Sequence, residues 1–456
     1  MRTVLSVEPH MPDPNSDVEQ LTVRVIRSPF NVDKADRSRP LDLDPAKQAD
    51  WASPDGVRSR GRAVRESLQS HPGVGEVLKQ IFTTPIGTTQ SLFVMLSRSE
   101  AEQISWETLC DGNDKFVALD ARWPIGRITD PMSGVARPPA ELKLPVRMMV
   151  LISALGIQGQ VKEWQVLRDG IAAARAAGLP VVVKVMVGEP SLLAAIAADV
   201  AAGLANVEVA ALEKAPTRVI QDIRDWQPNV VHVFSHGRSD ATGQGIELAN
   251  GVDYANGATT GSIRISVDQL ESLGASLTNP WLLVLNCCSG GQAATNLQSI
   301  AYRVVSNGFP AAVAMLEPVD AGDAHEFARA FYRSLFASLA KTAQALQQAA
   351  RVPFEWSEAM VDARTAISEQ HDSDANNSRE WTLPVLYVRG IEPFTFDRPP
   401  PGTEADTAVF KAKARTVAEW LQAVGQQKDE SVRQTIMASA LDDVPKAFWP
   451  KVDGSF

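Results

Sequence analysis

From residue 147 onward the chain repeats one pattern: an apolar run of strand length, then a segment with helical spacing. The runs are "RMMVLISA", "LPVVVKVMV", "VEVAAL", "NVVHVFS", "WLLVLN", "PAAVAML" and "LPVLYVR". The segments between them include "VKEWQVLRDGIAAARAAG", the Ala-rich "SLLAAIAADVAAG", "APTRVIQDIRDW", "SVDQLESLGA", "ATNLQSIAYRVVSNG" and the long "DAHEFARAFYRSLFASLAKTAQALQQAAR". Runs with so few polar interruptions belong to strands buried on both faces. Their alternation with helices predicts an α/β fold: a mostly parallel sheet with helices on both faces. Ligands in such sheets sit beyond the carboxyl ends of the strands, so the residues after each run are the ones to inspect.

The flanking regions read differently. Residues 1 to about 90 are polar and mixed, with a strand expected at "LTVRVI" and a short helix at "SRGRAVRESLQS"; a further strand is expected at "SLFVMLS". Residues 33–56 read as a loop rich in charge and Pro, and a polar, Gly-rich excursion spans roughly 240–262. Triple proline in "FDRPPPGTEAD" predicts a linker over 396–406, and helical spacing beyond it predicts a small α-helical appendage over 407–456. The expected units are therefore 1–145, a sheet domain over 146–395, the linker and the tail. The tail either packs back on the sheet or serves as a docking element or flap.

The formal charge of −10 and a pI near 5.3, with no long basic run, disfavour nucleic acid as a partner. No stretch approaches the roughly 20 apolar residues of a membrane span, and the N-terminus lacks the layout of a signal peptide. Three cysteines, two of them adjacent, make no disulfide framework. A reducing, cytoplasmic setting is expected.

Two strand ends carry chemistry. "VVHVFSHGRSD" places His236 and Gly237 after one apolar run, and "VLNCCSGG" places Cys287, Cys288 and Ser289 after another. If those strands are neighbours, an imidazole and a thiol meet as base and nucleophile. Gly237 permits close approach of a substrate carbonyl, and its N–H together with that of the nucleophilic cysteine would hold the oxyanion. Adjacent strand residues project to opposite sides, so the two thiols have different roles. A metal site formed by His232, His236 and the cysteines is the competing reading, disfavoured because "HVFSH" is strand-like. Cys110 and Trp106 read as structural.

With these landmarks the chain resembles the caspase-like CHAT peptidases, relatives of caspases and separases. "ISWETLCDGNDKFVAL", "NVVHVFSHG", "LLVLNCCSGG", "NGFPAAVAMLEPVDAGDAHEFARAFYRSL" and "REWTLPVLYVRG" match the family's elements in order, across roughly residues 20–395. The resemblance implies a caspase-like sheet and a cysteine endopeptidase with His236 as general base and Cys288 as nucleophile, Cys287 being a packing residue. It implies no cofactor and no metal. It places acids that accept a basic P1 side chain near Asp320, with Glu317 next; the other reading is that these acids, Asp323 above all, cap the following helix. The family implies a role in bacterial defence or cell death, a protein substrate such as an effector encoded nearby, and an activating sensor or regulator. A catalytically silent caspase-like adaptor is the alternative.

Overall fold

A computed structural model describes residues 2–9, 21–32, 37–41, 43, 49–51, 53, 55–96, 104–129, 140–153, 155–157, 159–213, 215–240, 243–286, 297–317, 319–371, 374–376, 378–399, 413–418, 421, 430–441 and 449–450. The N-terminal part supplies β1 (Arg2–Pro9), β2 (Leu21–Arg27), β3 (Arg39–Leu41), α1 (Gly56–Ser70), α2 (Pro72–Phe82), β4 (Ser91–Leu96), β5 (Ile125–Thr129) and β6 (Ala140–Glu141). The repeating part begins with β7 (Val146–Ser153), α3 (Gln160–Ala176), β8 (Val181–Val187), α4 (Pro190–Ala201), β9 (Val207–Ala211), α5 (Pro216–Trp226) and β10 (Val230–Asp240). It continues through β11 (Gly243–Leu248), α6 (Gly251–Ala255), β12 (Ile263–Ser266), α7 (Val267–Ser276), β13 (Leu282–Leu285), α8 (Leu297–Asn307), β14 (Ala311–Met315) and α9 (Ala321–Ala345). Then follow β15 (Arg351–Phe354), α10 (Ser357–His371), β16 (Pro384–Arg389), β17 (Phe394–Asp397) and α11 (Glu430–Ala440).

The main sheet runs in the order β3-β2-β1-β4-β5-β16-β14-β13-β10-β7-β8-β9. From β9 to β14 every pairing is parallel, as the alternation predicts; β16 is antiparallel to β14 but parallel to β5. The central strands β13 and β14 are buried along their whole length and β7 everywhere but Arg147, which is why their sequences show no period. The N-terminal strands β1, β4 and β5 extend this same sheet in parallel register.

Several expectations need correction. Among the described residues, the polar, Gly-rich positions of 240–262 hold regular elements. They form β11 and a five-residue helix, α6, and lead into β12, with β11 pairing antiparallel to both β10 and β12. β12 alternates buried and exposed over four residues, too few for a period to be read. The strand β1, the second helix α2, β15, α10 and β17 were not anticipated, and residues 396 and 397, expected to open the linker, end β17. In the tail, Leu421, Met437 and Leu441 form a small apolar cluster apart from the main core. Among the described residues no helix is long and apolar enough to cross a membrane.

The "WETL" segment is tied to the sheet by a buried ion cluster. Glu107, in the short turn Trp106–Thr108, accepts from Arg127 of β5 at 3.0 Å (Nε) and 2.7 Å (Nη2). Arg364 of α10 lies 3.8 Å from the same carboxylate, and all three side chains are fully buried. Burial pushes the Arg364 guanidinium down to about 10, with the Glu107 carboxylate opposing that shift. Removing one partner strands the others without water. Glu107→Ala is expected to lose about 3–5 kcal/mol of stability. Chemical denaturation measures this, and a loss under about 1 kcal/mol would show that the cluster relaxes freely.

Candidate active site

The site begins with the register of two strands. β10 pairs with β7 up to Ser235↔Ser153, and the next residue, His236, pairs instead with Glu247 of β11. His236 therefore stands where the strand leaves the parallel sheet, the position at which open α/β sheets present functional groups. On the other side β10 pairs in parallel with β13, with Val233 opposite Leu285. The Asn286 N–H extends that ladder, donating to the Val233 carbonyl at 2.9 Å. The strand carrying the histidine and the strand leading to the cysteine pair are thus direct neighbours. Cys287 and Cys288 themselves lie outside the described residues.

The His236 ring is half-buried, with Nε2 2.6 Å from the carbonyl oxygen of Leu155. A carbonyl only accepts, so this contact assigns the ring proton to Nε2 and leaves Nδ1 to take a proton from a neighbour. Leu155 also marks the edge of an open cleft. Gly156 and Ile157, which follow it, line a cavity of about 510 Å³ with Gly159, Gln160, Glu189 and Tyr254. Tyr254 donates to the Gln160 side chain at 3.1 Å across this surface.

His232, four residues earlier on β10, is fully buried and otherwise engaged. Its Nδ1 is 3.0 Å from the Tyr332 hydroxyl, and its Nε2 is 2.8 Å from Glu163 Oε1. Burial pushes the Tyr332 phenol well above its usual range, so its O–H is present to donate to His232 Nδ1. Glu163 also meets His325 Nδ1 at 2.7 Å and accepts from Asn286 Nδ2 at 2.8 Å. Burial favours the neutral acid, yet the His325 hydrogen bond and the His232 ring close beside it outweigh that and hold Glu163 below the usual carboxylate range. No cluster among the described residues is arranged to hold a metal ion.

The acids after β14 serve the fold in ways the sequence did not separate. Asp320, not Asp323, is the N-cap of α9: its Oδ1 accepts from the Gly322 N–H at 2.7 Å. Asp323 is buried one turn on, with Oδ1 2.6 Å from His371 Nε2. Glu317 is half-exposed and pairs with Arg379. Gly237 is half-buried in the β10–β11 ribbon. Cys110 and Trp106 are both core residues, as their sequence context predicts.

Two contributors escaped the sequence. The Leu155 partner is a backbone carbonyl, which any residue supplies. Glu163 sits in a helix among Lys162, Arg168 and Asp169, where a charge reads as solvent-facing.

Among solved structures the chain is similar to one described as a complex of Porphyromonas gingivalis RgpB pro- and mature domains. That match has 11% identity and a TM-score of 0.40, covering 73% of this chain and 74% of that one. It is also similar to the Saccharomyces cerevisiae separase–securin complex, at 11% identity and a TM-score of 0.34, covering 76% of this chain and 19% of that one. No curated protein sequence matches the chain. The CHAT domain family model matches residues 73–387, from α2 to β16, a span that takes in the strand bearing His236 and the strand leading to the cysteine pair. A match across more than half of the chain, carrying both strand ends in order, means that this protein belongs to the CHAT domain family.

Proposed function

We propose that the protein is a caspase-like cysteine endopeptidase in which His236 is the general base and Cys288 the nucleophile. The observation that carries the reading is the parallel pairing of β10 with β13 beside the switch at His236. It brings the base-bearing strand next to the chain that runs into Cys287 and Cys288. In the proposed reaction His236 Nδ1 takes the Cys288 proton, and the thiolate attacks the scissile carbonyl. The N–H groups of Gly237 and Cys288 hold the oxyanion. The imidazolium then returns its proton to the leaving amine, and water, activated by the same base, releases the acyl group. Leu155 keeps the ring in the required tautomer throughout. The cleft lined by Gly156 and Ile157 lies along the path a bound peptide would take past His236.

A peptidyl chloromethyl ketone tests the reading. It should alkylate Cys288 selectively and block turnover. A folded protein that shows no selective modification there is a silent scaffold instead.

The substrate is a protein, and we propose cleavage after a basic residue accepted by Asp320 with Glu317. The biological setting proposed is bacterial defence or cell death, with a nearby effector as target and a sensor or regulator that releases activity. Asp320 is exposed in the free protein; once a bound peptide covers it, a charge-assisted hydrogen bond to it is worth roughly 1.5–3 kcal/mol, or about 10- to 150-fold in turnover. Asp320→Ala is therefore expected to cut cleavage after Lys and Arg by that factor relative to other P1 residues. Because Asp320 also caps α9, about 1 kcal/mol of stability goes with it. A P1-varied peptide library separates the two effects. An unchanged P1 profile with lowered stability leaves only the cap.

A further inference from the structure

One carboxylate joins four elements directly beneath the two strand ends. Glu163 projects from α3 and is fully buried. Its Oε1 accepts from Nδ2 of Asn286, the residue after β13, at 2.8 Å and lies 2.8 Å from His232 Nε2 on β10, a close contact outside hydrogen-bond geometry. Its Oε2 lies 2.7 Å from His325 Nδ1 on α9. The periphery is fixed in turn. Asn286 Nδ2 also donates to the Ala324 carbonyl at 3.0 Å, and His232 Nδ1 meets the Tyr332 hydroxyl at 3.0 Å. The His325 ring stacks on Phe234, 5.7 Å between centroids. Its Nε2 would lie 2.6 Å from a Cβ at Gly159, so only glycine fits there, and Gly159 lines the cleft at a φ of +113°. Asn286 Oδ1 is buried without a hydrogen-bond partner among the described residues.

Stability alone does not account for this cluster. A buried carboxylate with its partners is commonly matched or bettered by apolar side chains of the same volume. What apolar groups do not supply is directional contact at fixed distances between separate elements. Here the fixed distances run between β10, four residues before His236, and β13, two residues before Cys288.

We propose that Glu163, acting through His232 and Asn286, is a positioning residue that sets the spacing between the histidine-bearing and cysteine-bearing strand ends. Glu163 touches no reacting atom in this proposal, which rests on the assignment of His236 and Cys288 as the dyad. A displacement of about 1 Å in such a pair is enough to lower the rate roughly 100-fold.

The test compares wild type, Glu163→Gln and Tyr332→Phe by two readouts. The first is inactivation by a peptidyl chloromethyl ketone, resolved into its maximal rate and its half-saturating concentration. Glu163→Gln is expected to lower the maximal rate by about 10- to 100-fold with half-saturation unchanged, because the network does not line the peptide's path. Tyr332→Phe, which frees one end of His232 and keeps the ring packing, is expected to lower it less. The second readout is amide hydrogen exchange in the peptide 282–297 against a control peptide from β8. Exchange should rise selectively in the first peptide. Wild-type rates and exchange in a folded Glu163→Gln protein overturn the proposal. If that variant does not fold, Tyr332→Phe decides alone, and unchanged rates and exchange in it overturn the proposal. If wild type itself shows no selective modification of Cys288, the peptidase reading fails. The positioning claim then stands or falls on the exchange of 282–297.

Discussion

Cys288→Ala is expected to abolish peptide cleavage and active-site labelling while the protein stays folded, whereas Cys287→Ala should keep most of both. The expectation comes from the sequence: adjacent residues of an extended chain project to opposite sides, so only one of the two thiols can share a side with the His236 ring. No other side chain proposed for the site can form the acyl-enzyme, so the first loss should be complete within detection. The second variant removes a small side chain and should cost about 1 kcal/mol. The third cysteine does not confuse the measurement. Burial pushes the Cys110 thiol up to about 11, with Arg65 opposing only partly, so at pH 8 it carries little reactive thiolate. Mass spectrometry of the alkylated native protein therefore reports on the adjacent pair alone. Equal loss of turnover in both variants, each folded, would overturn the assignment of Cys288.

How much of this was legible in the sequence depends on the residue. β7, β10, β13 and β14 announce themselves because strands covered on both faces admit almost nothing polar. His236 stands out for the same reason, as a polar residue at the end of such a run followed by glycine. The neighbourhood of β10 and β13 was only conditional, since strand order is not written in strand composition. Short pieces were lost: β12 has four residues and β3 has three, below the length at which alternation differs from chance. Asp320 and Asp323 are both reasonable caps by type, and only the backbone path shows which one reaches the free N–H groups of α9. Glu163 was the hardest. A glutamate on a helix is a solvated face until tertiary contacts bring two histidines and an asparagine to it, and those partners lie 69, 162 and 123 residues away in the chain.

The two histidines of "HVFSH" should separate by what each variant damages. His236→Ala removes the group that accepts the thiol proton, and loss of a general base lowers rates by about 10²–10⁴-fold. Its effect on folding should be small, because the ring is half-buried and its one described contact is with the Leu155 carbonyl. His232→Ala acts the other way. That ring is fully enclosed between Tyr332 and Glu163, and its removal leaves a buried carboxylate held by His325 and Asn286 alone. Leaving a buried polar group without one of its partners typically costs about 1–3 kcal/mol, and more for a carboxylate. Any loss of turnover in the folded fraction should then reflect a shifted His236 rather than a missing base, and should stay well short of the His236→Ala effect. Thermal unfolding and initial rates on one peptide substrate, measured side by side, distinguish these patterns. Were folded His232→Ala slower than folded His236→Ala, the base would be His232 and the dyad proposed here would be wrong.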